Sequence, residues 1–564
     1  MNTKHRIISF IAIILGFFMA LLDTTIVNIT LPKMTEYFGT TMNHISWVVN
    51  AYNLAFAAMI ITASRLADQF GRKKLFMCGV FLFTLSSSLS AVSTSIEMLI
   101  LFRALQGLSA AFVVPVTVPL SVEIFPPEKR GPIMALWGAF AGLAAASGPS
   151  LGGFITEFLN WRYVFFINIP IGIICLLLTF KFINESYDST ANKSIDVLGI
   201  LTISASMFTL TFALIKANEK GWTSSFILSL FAVSFITLIL FIITELKVKN
   251  PMLPLSLFKI IPFTSGAIAL FLLGLGMMSG SYFLSFFLIQ VKGLSQLNAG
   301  IIISSMALSS MFFSMLSAIL VKKIEARWLS ALGLCLLSLS CFLYSSLTKD
   351  STTMEIILRL IVGGAGMGLS MSNLMNSMVK NVPKDKIGIT SGVNNMTRTL
   401  GTVLGVAIFL TIFTSSMTVQ MSNAKNYVIK IIKTDTAFDA NAKKEMVASL
   451  KTSSEKSKPL SDTLKEIDKK EALTLKAIPP MLQSKVKFSF NKQKKETKRI
   501  FPVIQDSFKT YTVKAFSFTF KCGCLFLIPG ILFAFFSDKQ KEPLINYENN
   551  IKKRDYSTQK IAKQ

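Results

Sequence analysis

One carboxylate stands deep inside an apolar run. Asp23 interrupts residues 7–28, and no other acidic residue lies well inside a stretch of that kind. A carboxylate in hydrocarbon costs about 3 kcal/mol on insertion scales and is a functional candidate by default. It precedes Leu31, at the end of its run, by eight residues, or ~12 Å at 1.5 Å per residue. Arg103 follows Glu97 by six residues in another run, ~9 Å by the same rise, so the two can share a level. Burial favours the neutral carboxyl and a guanidinium the charged one. A cavity that opens and closes would therefore load and unload a proton at Asp23. The competing readings are an Asp that only bends or caps its helix and an Arg that only packs. The remaining inventory is poor in chemistry. Only His5 and His44 exist, and Cys78, Cys175, Cys335, Cys341, Cys522 and Cys524 lack both metal-ligand spacing and a disulfide framework. Paired deep carboxylates, a nucleophile–base pair and a GxxxxGK[ST] phosphate loop are all missing from the sequence. These residues predict neither an enzyme nor an ATP-driven pump, with no catalytic residue, no metal and no cofactor.

The elements that must hold such a pair are membrane spans. The 564 residues are 52% hydrophobic and 15% charged, with a mean hydropathy of +0.57, which excludes an ordinary soluble or disordered chain. Fourteen apolar runs of spanning length fall at roughly 7–28, 45–63, 75–94, 98–122, 133–156, 163–183, 197–215, 224–244, 264–290, 299–321, 329–347, 356–379, 388–415 and 515–536. The formal charge of +27, from 57 Lys+Arg against 30 Asp+Glu, would suggest nucleic acid in a soluble protein. Here the excess lies between apolar runs, so no nucleic-acid partner is expected. Lys4 and Arg6, then Arg65, Arg72, Lys73 and Lys74, Lys129 and Arg130, Lys322, Lys323 and Arg327, and Lys380, Lys384 and Lys386 occupy alternate loops. The positive-inside rule then predicts both termini cytoplasmic. The first run lacks a small-residue cleavage pattern and reads as a span, not a removable signal. The Lys-to-Arg ratio of 46 to 11 suggests an AT-rich bacterial genome and hence a plasma membrane.

Residues 417–510 stand apart, with twenty Lys+Arg and ten Asp+Glu. Leu460, Leu464, Ile467, Leu475 and Ile478 are spaced amphipathically, Pro479-Pro480 breaks the pattern, and Val486, Phe488 and Phe490 alternate. This predicts a small, partly helical outer domain; a solvated basic spacer is the alternative.

Three weak repeats share nearly one offset. Arg103-Ala-Leu-Gln-Gly107 recurs as Arg359-Leu-Ile-Val-Gly363 at 256, Pro126–Gly131 as Pro383–Gly388 at 257, and Leu66, Lys73, Leu75 and Gly79 as Leu320, Arg327, Leu329 and Gly333 at 254. Two six-span halves with spans 7 and 8 inserted explain the register. Secondary transporters built from repeats place a substrate site at the midplane between them.

Several motifs then coincide. Span 1 carries Leu22-Asp-Thr-Thr-Ile-Val-Asn-Ile-Thr-Leu-Pro32, and the loop after span 2 carries Ser64-Arg-Leu-Ala-Asp-Gln-Phe-Gly-Arg-Lys-Lys74. Span 4 has Arg103-Ala-Leu-Gln-Gly107, and span 5 has Gly142 through Gly148-Pro149-Ser-Leu-Gly152-Gly153. Asn160-Trp-Arg-Tyr-Val-Phe-Phe-Ile-Asn-Ile-Pro-Ile-Gly172 and Ser391-Gly-Val-Asn-Asn-Met-Thr-Arg398 complete the set. Over about residues 1–415 and 515–536 the sequence resembles the major facilitator superfamily, specifically its fourteen-helix drug:proton antiporter branch, which includes exporters of quaternary ammonium compounds and dyes. The resemblance implies an all-α integral membrane fold of two six-helix bundles plus two inserted helices. We divide the chain accordingly into 1–190, a linker pair at 191–255, a second bundle at 256–416 and 511–537, the extracytoplasmic basic domain 417–510, and a cytoplasmic tail 538–564.

The resemblance also implies roles. Asp23 and Arg103 would couple to protons. Arg65, Asp68, Gly71 and Arg72 would clamp the cytoplasmic face, with Arg72 paired to a carboxylate that by position is Glu123; Ser64 departs from the family's usual Gly. Gly142, Gly148, Pro149, Gly152 and Gly153 would form an outward-side seal, generic close packing being the plainer reading. Asn28, Trp47, Tyr52, Gln106 and Trp137 are chosen as cavity-lining polar or amphipathic groups, with interfacial anchoring as the alternative. The expected function is proton-driven export of amphipathic, in some cases cationic, drugs or toxic compounds by alternating access. Export of an endogenous lipid, metabolite or cell-wall precursor is the same-fold alternative, and a non-transporting sensor whose outer domain binds polyanions is the alternative of another class. Expected partners are the small substrate, protons, membrane lipids and an anionic cell-surface polymer at 417–510, with the chain a monomer.

Overall fold

The computed structural model describes residues 3–434 and 479–538, apart from 41, 188–195, 249–250, 252, 279–282, 381 and 383–385, together with a few residues between 443 and 475. Nearly all of the expected tail 538–564, and Leu460, Leu464, Ile467, Ile478 and Lys384, lie outside the described residues. The described residues hold helices and turns without a strand. The long helices are α1 (Thr3–Phe38), α2 (Trp47–Phe70), α3 (Arg72–Ala91), α4 (Ile96–Ile124), α5 (Pro127–Phe158), α6 (Asn168–Phe182), α7 (Val197–Lys220), α8 (Ser225–Lys247), α9 (Ile261–Met278), α10 (Gln296–Leu320), α11 (Ala326–Ser345), α12 (Thr353–Lys380), α13 (Ile387–Thr434) and α14 (Pro480–Phe536). Among the described residues twelve of these, all but α5 and α9 and with α6 counted from Tyr163, are long and apolar enough to cross a membrane.

The chemistry of the chain explains the choice of helix. Hydrocarbon offers no partner for a bare peptide group, so each span must satisfy its own backbone. Side-chain oxygens start several helices: Ser95 accepts from the Met98 amide, Ser224 from Ile227, Ser295 from Asn298 and Asp196 from Gly199. The outward faces carry large exposed apolar groups, such as Leu177, Phe180 and Leu246 at 65%, 72% and 71%. Such a surface is suited to lipid and not to water.

The first six helices form one bundle, in which α2 and α3 pack on α4, and α1 packs on α5 and α6. The second is built from α9 to α14, with α12 against α10 and α11, and α13 and α14 against α9. The bundles meet where α5 packs along α10 and α2 along α13. The inserted pair α7 and α8 pack on each other, and α7 also touches α2 and α13, one from each bundle.

The internal repeat is visible in three dimensions with a corrected register. Gly79 of α3 approaches the Ser109 carbonyl of α4, and Gly333 of α11 approaches the Gly366 carbonyl of α12. Gly107 of α4 lies against the Tyr52 carbonyl of α2, and Gly364 of α12 against the Met306 carbonyl of α10. The offsets are 254 for Gly79 to Gly333 and Tyr52 to Met306, but 257 for Ser109 to Gly366 and Gly107 to Gly364. Gly107 therefore matches Gly364, not Gly363, and Arg103 matches Leu360, not Arg359. One residue is ~100° of helix, which is why Arg359 is only half-buried while Arg103 and Leu360 are fully buried.

Apolar run 264–290 is helical where it is described, as α9 to Met278 and as a short helical turn with a π stretch over 284–291. Two further expectations differ. The boundaries placed at 416/417 and 510/511 fall inside α13 and α14, which continue without a break. Val486, Phe488 and Phe490 are helical despite their alternation. No Gly or Pro lies between 417 and 434, so nothing ends α13 where its apolar content ends. At 48 and 57 residues, α13 and α14 are ~72 and ~86 Å long, against a hydrocarbon core of ~30 Å. The excess forms a stem in which Val428 and Ile432 pack on Ile500 and Ile504, with Phe508 alongside. Lys349, between α11 and α12, holds the stem through an ion pair with Asp506.

Candidate functional site

Asp23 sits at the middle of α1 and is fully buried. Its carboxylate accepts three hydrogen bonds. Arg103 of α4 donates from a terminal guanidinium nitrogen to one oxygen, while the amides of Gln106 and Asn168 donate to the other at 2.9 and 3.2 Å. Three of the first six helices thus converge on one acid. Arg103 is held from further directions: its Nε donates to the Val48 carbonyl of α2 at 2.9 Å, and it donates to Gln106 Oε1 at 2.8 Å. Its guanidinium lies 4.5 Å from the centre of the Tyr52 ring, within cation–π range. The Gly107–Tyr52 approach places that ring, since any Cβ at Gly107 would collide with the Tyr52 backbone. Asn168 is itself anchored to Ser87 Oγ at 2.9 Å.

A cavity of about 1130 Å³ lies between the two bundles. Its wall includes Arg103 and Tyr52, so the Asp23 carboxylate is one side chain removed from the space a ligand would fill. Asn28, Trp47, Tyr52 and Trp137, four of the five residues chosen from the sequence, lie on its wall, and Trp137 stacks on Phe17 at 4.2 Å. Gln106 does not: it is fully buried on Asp23 and Arg103, because its position three residues after Arg103 turns it to the same acid. Met277, Met306, Met367, Met371 and Met375 provide a polarizable wall on the second bundle. Arg398 of α13 faces the same cavity.

At the end of the bundles bearing the Arg65–Lys74 turn, Arg72 binds Asp68 at 2.9 Å and reaches Glu123 at 3.3 Å. Arg65 is buried nearby in α2. Gly71 joins α2 to α3 at φ 118°, a conformation open mainly to glycine. A residue the sequence did not single out completes this corner. Glu185, beyond α6, accepts from the first-turn amides Lys73 N at 2.9 Å and Lys74 N at 3.2 Å, and its carboxylate fills the space a Cβ at Gly71 would take. An anion at a helix N-terminus is favourable. Ser64 packs on Gly392 of α13, where a Cβ would come within 3.1 Å, so its bulk relative to glycine is taken up by a glycine opposite.

The glycines of α5 divide between two neighbours. Gly148 and Gly152 face Thr25, Ile26 and Ile29 of α1, whereas Gly142 meets Met311 and Gly153 meets Gln296 and Leu297 of α10. The Pro149 carbonyl region lies against Gly300, Ser150 bonds Ser304 at 2.6 Å, and Glu157 accepts from the Leu297 amide at 3.1 Å. These contacts bind one bundle to the other along a single seam.

Asn168, Ser87, Glu185 and Arg398 were not chosen from sequence as site residues. Neutral amides and hydroxyls are ordinary in spans, and Glu185 meets its partner 112 residues away in the chain. Arg398 carried a signal, a charge within an apolar run.

The Major Facilitator Superfamily model matches residues 13–406. Multidrug resistance protein 3 of Bacillus subtilis is 30% identical over 415 residues, covering 73% of this chain and 81% of that protein. Riboflavin transporter RibZ of Clostridioides difficile is 32% identical over 403 residues, covering 71% and 87%. The crystal structure of the human organic anion transporter MFSD10 (TETRAN) shares the fold at a TM-score of 0.53 and 15% identity, covering 73% of this chain and 94% of that one.

Proposed function

Because this chain belongs to the Major Facilitator Superfamily, and is a multi-pass membrane transporter and not an enzyme, we propose that it exports amphipathic drugs or toxic compounds from a bacterial cell in exchange for protons. The observation that carries this reading is the buried Asp23 carboxylate, held by three donors directly behind the cavity wall. Burial favours a neutral acid and a guanidinium partner a charged one, so opening and closing a cavity beside such a pair changes the balance between its two states. When Asp23 takes a proton, Arg103 loses its countercharge but keeps its bond to the Val48 carbonyl. The change reaches α2, which bears Tyr52 on the cavity and Ser64 against α13. A proton entering from outside is thereby linked to the contact between halves that alternating access must break.

The proton gradient supplies the energy, so no cofactor is required. Fourteen crossings with both termini cytoplasmic put the α13–α14 stem outside a plasma membrane, where its basic loop meets lipid or anionic wall polymer, and a single chain suffices. Similarity to a multidrug resistance protein supports the drug class, and similarity to a riboflavin transporter supports a second reading, export of an endogenous metabolite. The test is efflux from proteoliposomes under an imposed pH gradient, with dyes and metabolites as cargo. Gradient-dependent flux that vanishes in Asp23→Asn is expected; undiminished flux in that variant would refute the reading.

A further inference from the structure

Two guanidiniums stand on the cavity wall, and the proton mechanism uses only one. Arg103 is neutralised by Asp23. Arg398 has no such partner: its Nε is buried without a hydrogen bond, and among the described residues no carboxylate pairs with it. Arginine stays charged in proteins, and an uncompensated charge in a water-poor site is costly. The other charged groups on the wall do not relieve it. Glu219 is engaged by Lys216, and Lys322 and Lys380 carry the same sign as Arg398.

The surroundings of Arg398 resemble a half-built site. Asn394 and Thr402, one turn before and after it on α13, also line the cavity and share its helix face. Asn394 donates to the Met375 carbonyl at 3.4 Å, so its unpartnered Oδ1 can take a donor from a ligand's body but not an anionic group. Thr402 spends its hydroxyl on the Arg398 carbonyl at 3.0 Å, and Gly274 of α9 packs against that same carbonyl, so the backbone from which Arg398 projects is fixed. Tyr52 of α2 lines the same cavity from the opposite bundle. Beyond this polar patch the wall turns to methionine.

We infer that Arg398 anchors one anionic head group, a carboxylate or sulfonate, on an amphipathic substrate whose apolar body fills the methionine-lined remainder of the cavity. This rests on the transport reading for the fate of the ligand but not for its binding. The fork of a guanidinium matches a carboxylate's two oxygens, and a neutral analogue leaves the buried cation unsatisfied, which is how such sites reject it. Cationic compounds meet like charge here, so among the amphipathic substrates expected from the sequence the anions are favoured.

The experiment uses the full chain in detergent and two dyes with one aromatic body, the first ending in a carboxylate and the second in its methyl ester. Binding is read from quenching of tryptophan fluorescence, since Trp47 and Trp137 line the cavity, with no proton gradient present. Wild type should bind the acid more tightly than the ester. Arg398→Gln should weaken acid binding about tenfold to a hundredfold, the worth of a hydrogen bond to a charged group, and leave the ester within twofold; Arg398→Lys should recover part of the loss as a point charge. Equal affinity for acid and ester in wild type, equal weakening of both in Arg398→Gln, or binding of neither dye overturns the inference. Displacement of the acid dye by short aromatic acids or by long-chain fatty acids supports the inference and tells which apolar body fits, whereas equal displacement by their neutral esters overturns it. Proton-driven efflux, measured separately in proteoliposomes, decides the transport reading: acid-selective binding without flux rejects that reading alone.

Discussion

At the scale of residues, the central fact is a buried ion pair in which each partner is also held by neutral groups. Removing one member of such a pair costs about 3–5 kcal/mol, because the other is left as an uncompensated buried charge. Arg103→Ala should therefore lower the detergent melting temperature more than Asp23→Asn, since asparagine still accepts from Arg103 and Gln106 still holds it. The double variant Asp23→Asn/Arg103→Gln should melt closer to wild type than the sum of the single changes, while proton-driven efflux stays at background. Additive losses would show that the two side chains do not act as a unit. Asn168→Leu removes one donor from Asp23 and should slow efflux about tenfold without changing substrate affinity. Asp23 and Arg103 were legible in the sequence because a charge in an apolar run is improbable and has to be explained. Asn168 was not, although it lies within a motif quoted from the sequence, because nothing local says which way an amide points.

At the scale of elements, the clamp and the close approaches make separate predictions. Arg72 bridges buried Asp68 and half-exposed Glu123, and an ion pair with an exposed member is worth about 1 kcal/mol or less. Arg72→Ala and Glu123→Ala should leave stability nearly unchanged but shift the resting populations of the two access states up to about fivefold, and the double change should add little. Accessibility labelling of cysteines at both ends reads this, and independent, additive shifts would count against the network. Gly107→Val forces a side chain into the Tyr52 backbone and should cost at least about 1–3 kcal/mol, separating α2 from α4. At the stem, the hydrogen bond that Lys349 donates to the Asp506 carboxylate raises the lysine's pKa above its ordinary value of 10.5. From neutral pH upward the contact is complete until pH climbs through the raised lysine value, so protease sensitivity of the stem should stay flat from neutral pH and rise beyond 10.5. The all-α class and the order of the helices could be read from apolar runs, but the ends of α13 and α14 could not. Lysines and asparagines after residue 417 end the hydrophobic signal without ending the helix, and packing of Ile432 on Ile504 keeps the chain helical beyond the membrane.

At the scale of the whole molecule, the sign of the cargo decides how the protein uses the membrane potential. Exchanging one outward anion for one inward proton moves two charges in the direction favoured by a negative interior, ~4.6 kcal/mol at 100 mV, whereas exchanging a cation for a proton moves none. Collapsing the potential at constant pH gradient should therefore slow export of the acid dye and leave a cationic dye unaffected; identical responses would contradict an anionic cargo. Protease added to intact cells should cut within 417–510 and spare both termini, and cleavage only after permeabilisation would reverse the orientation. The stem has a mechanical consequence as well. Nineteen residues of α13 lie beyond residue 415, where its apolar content ends, a rigid arm of ~28 Å fixed to one bundle and not to the other. If the halves rock by ~10° about a pivot near Asp23, the tip, ~28 Å of arm beyond ~15 Å of half-membrane, sweeps ~7 Å sideways, so a fluorophore near Thr434 would report each turnover as a displacement several times larger than any movement at Asp23.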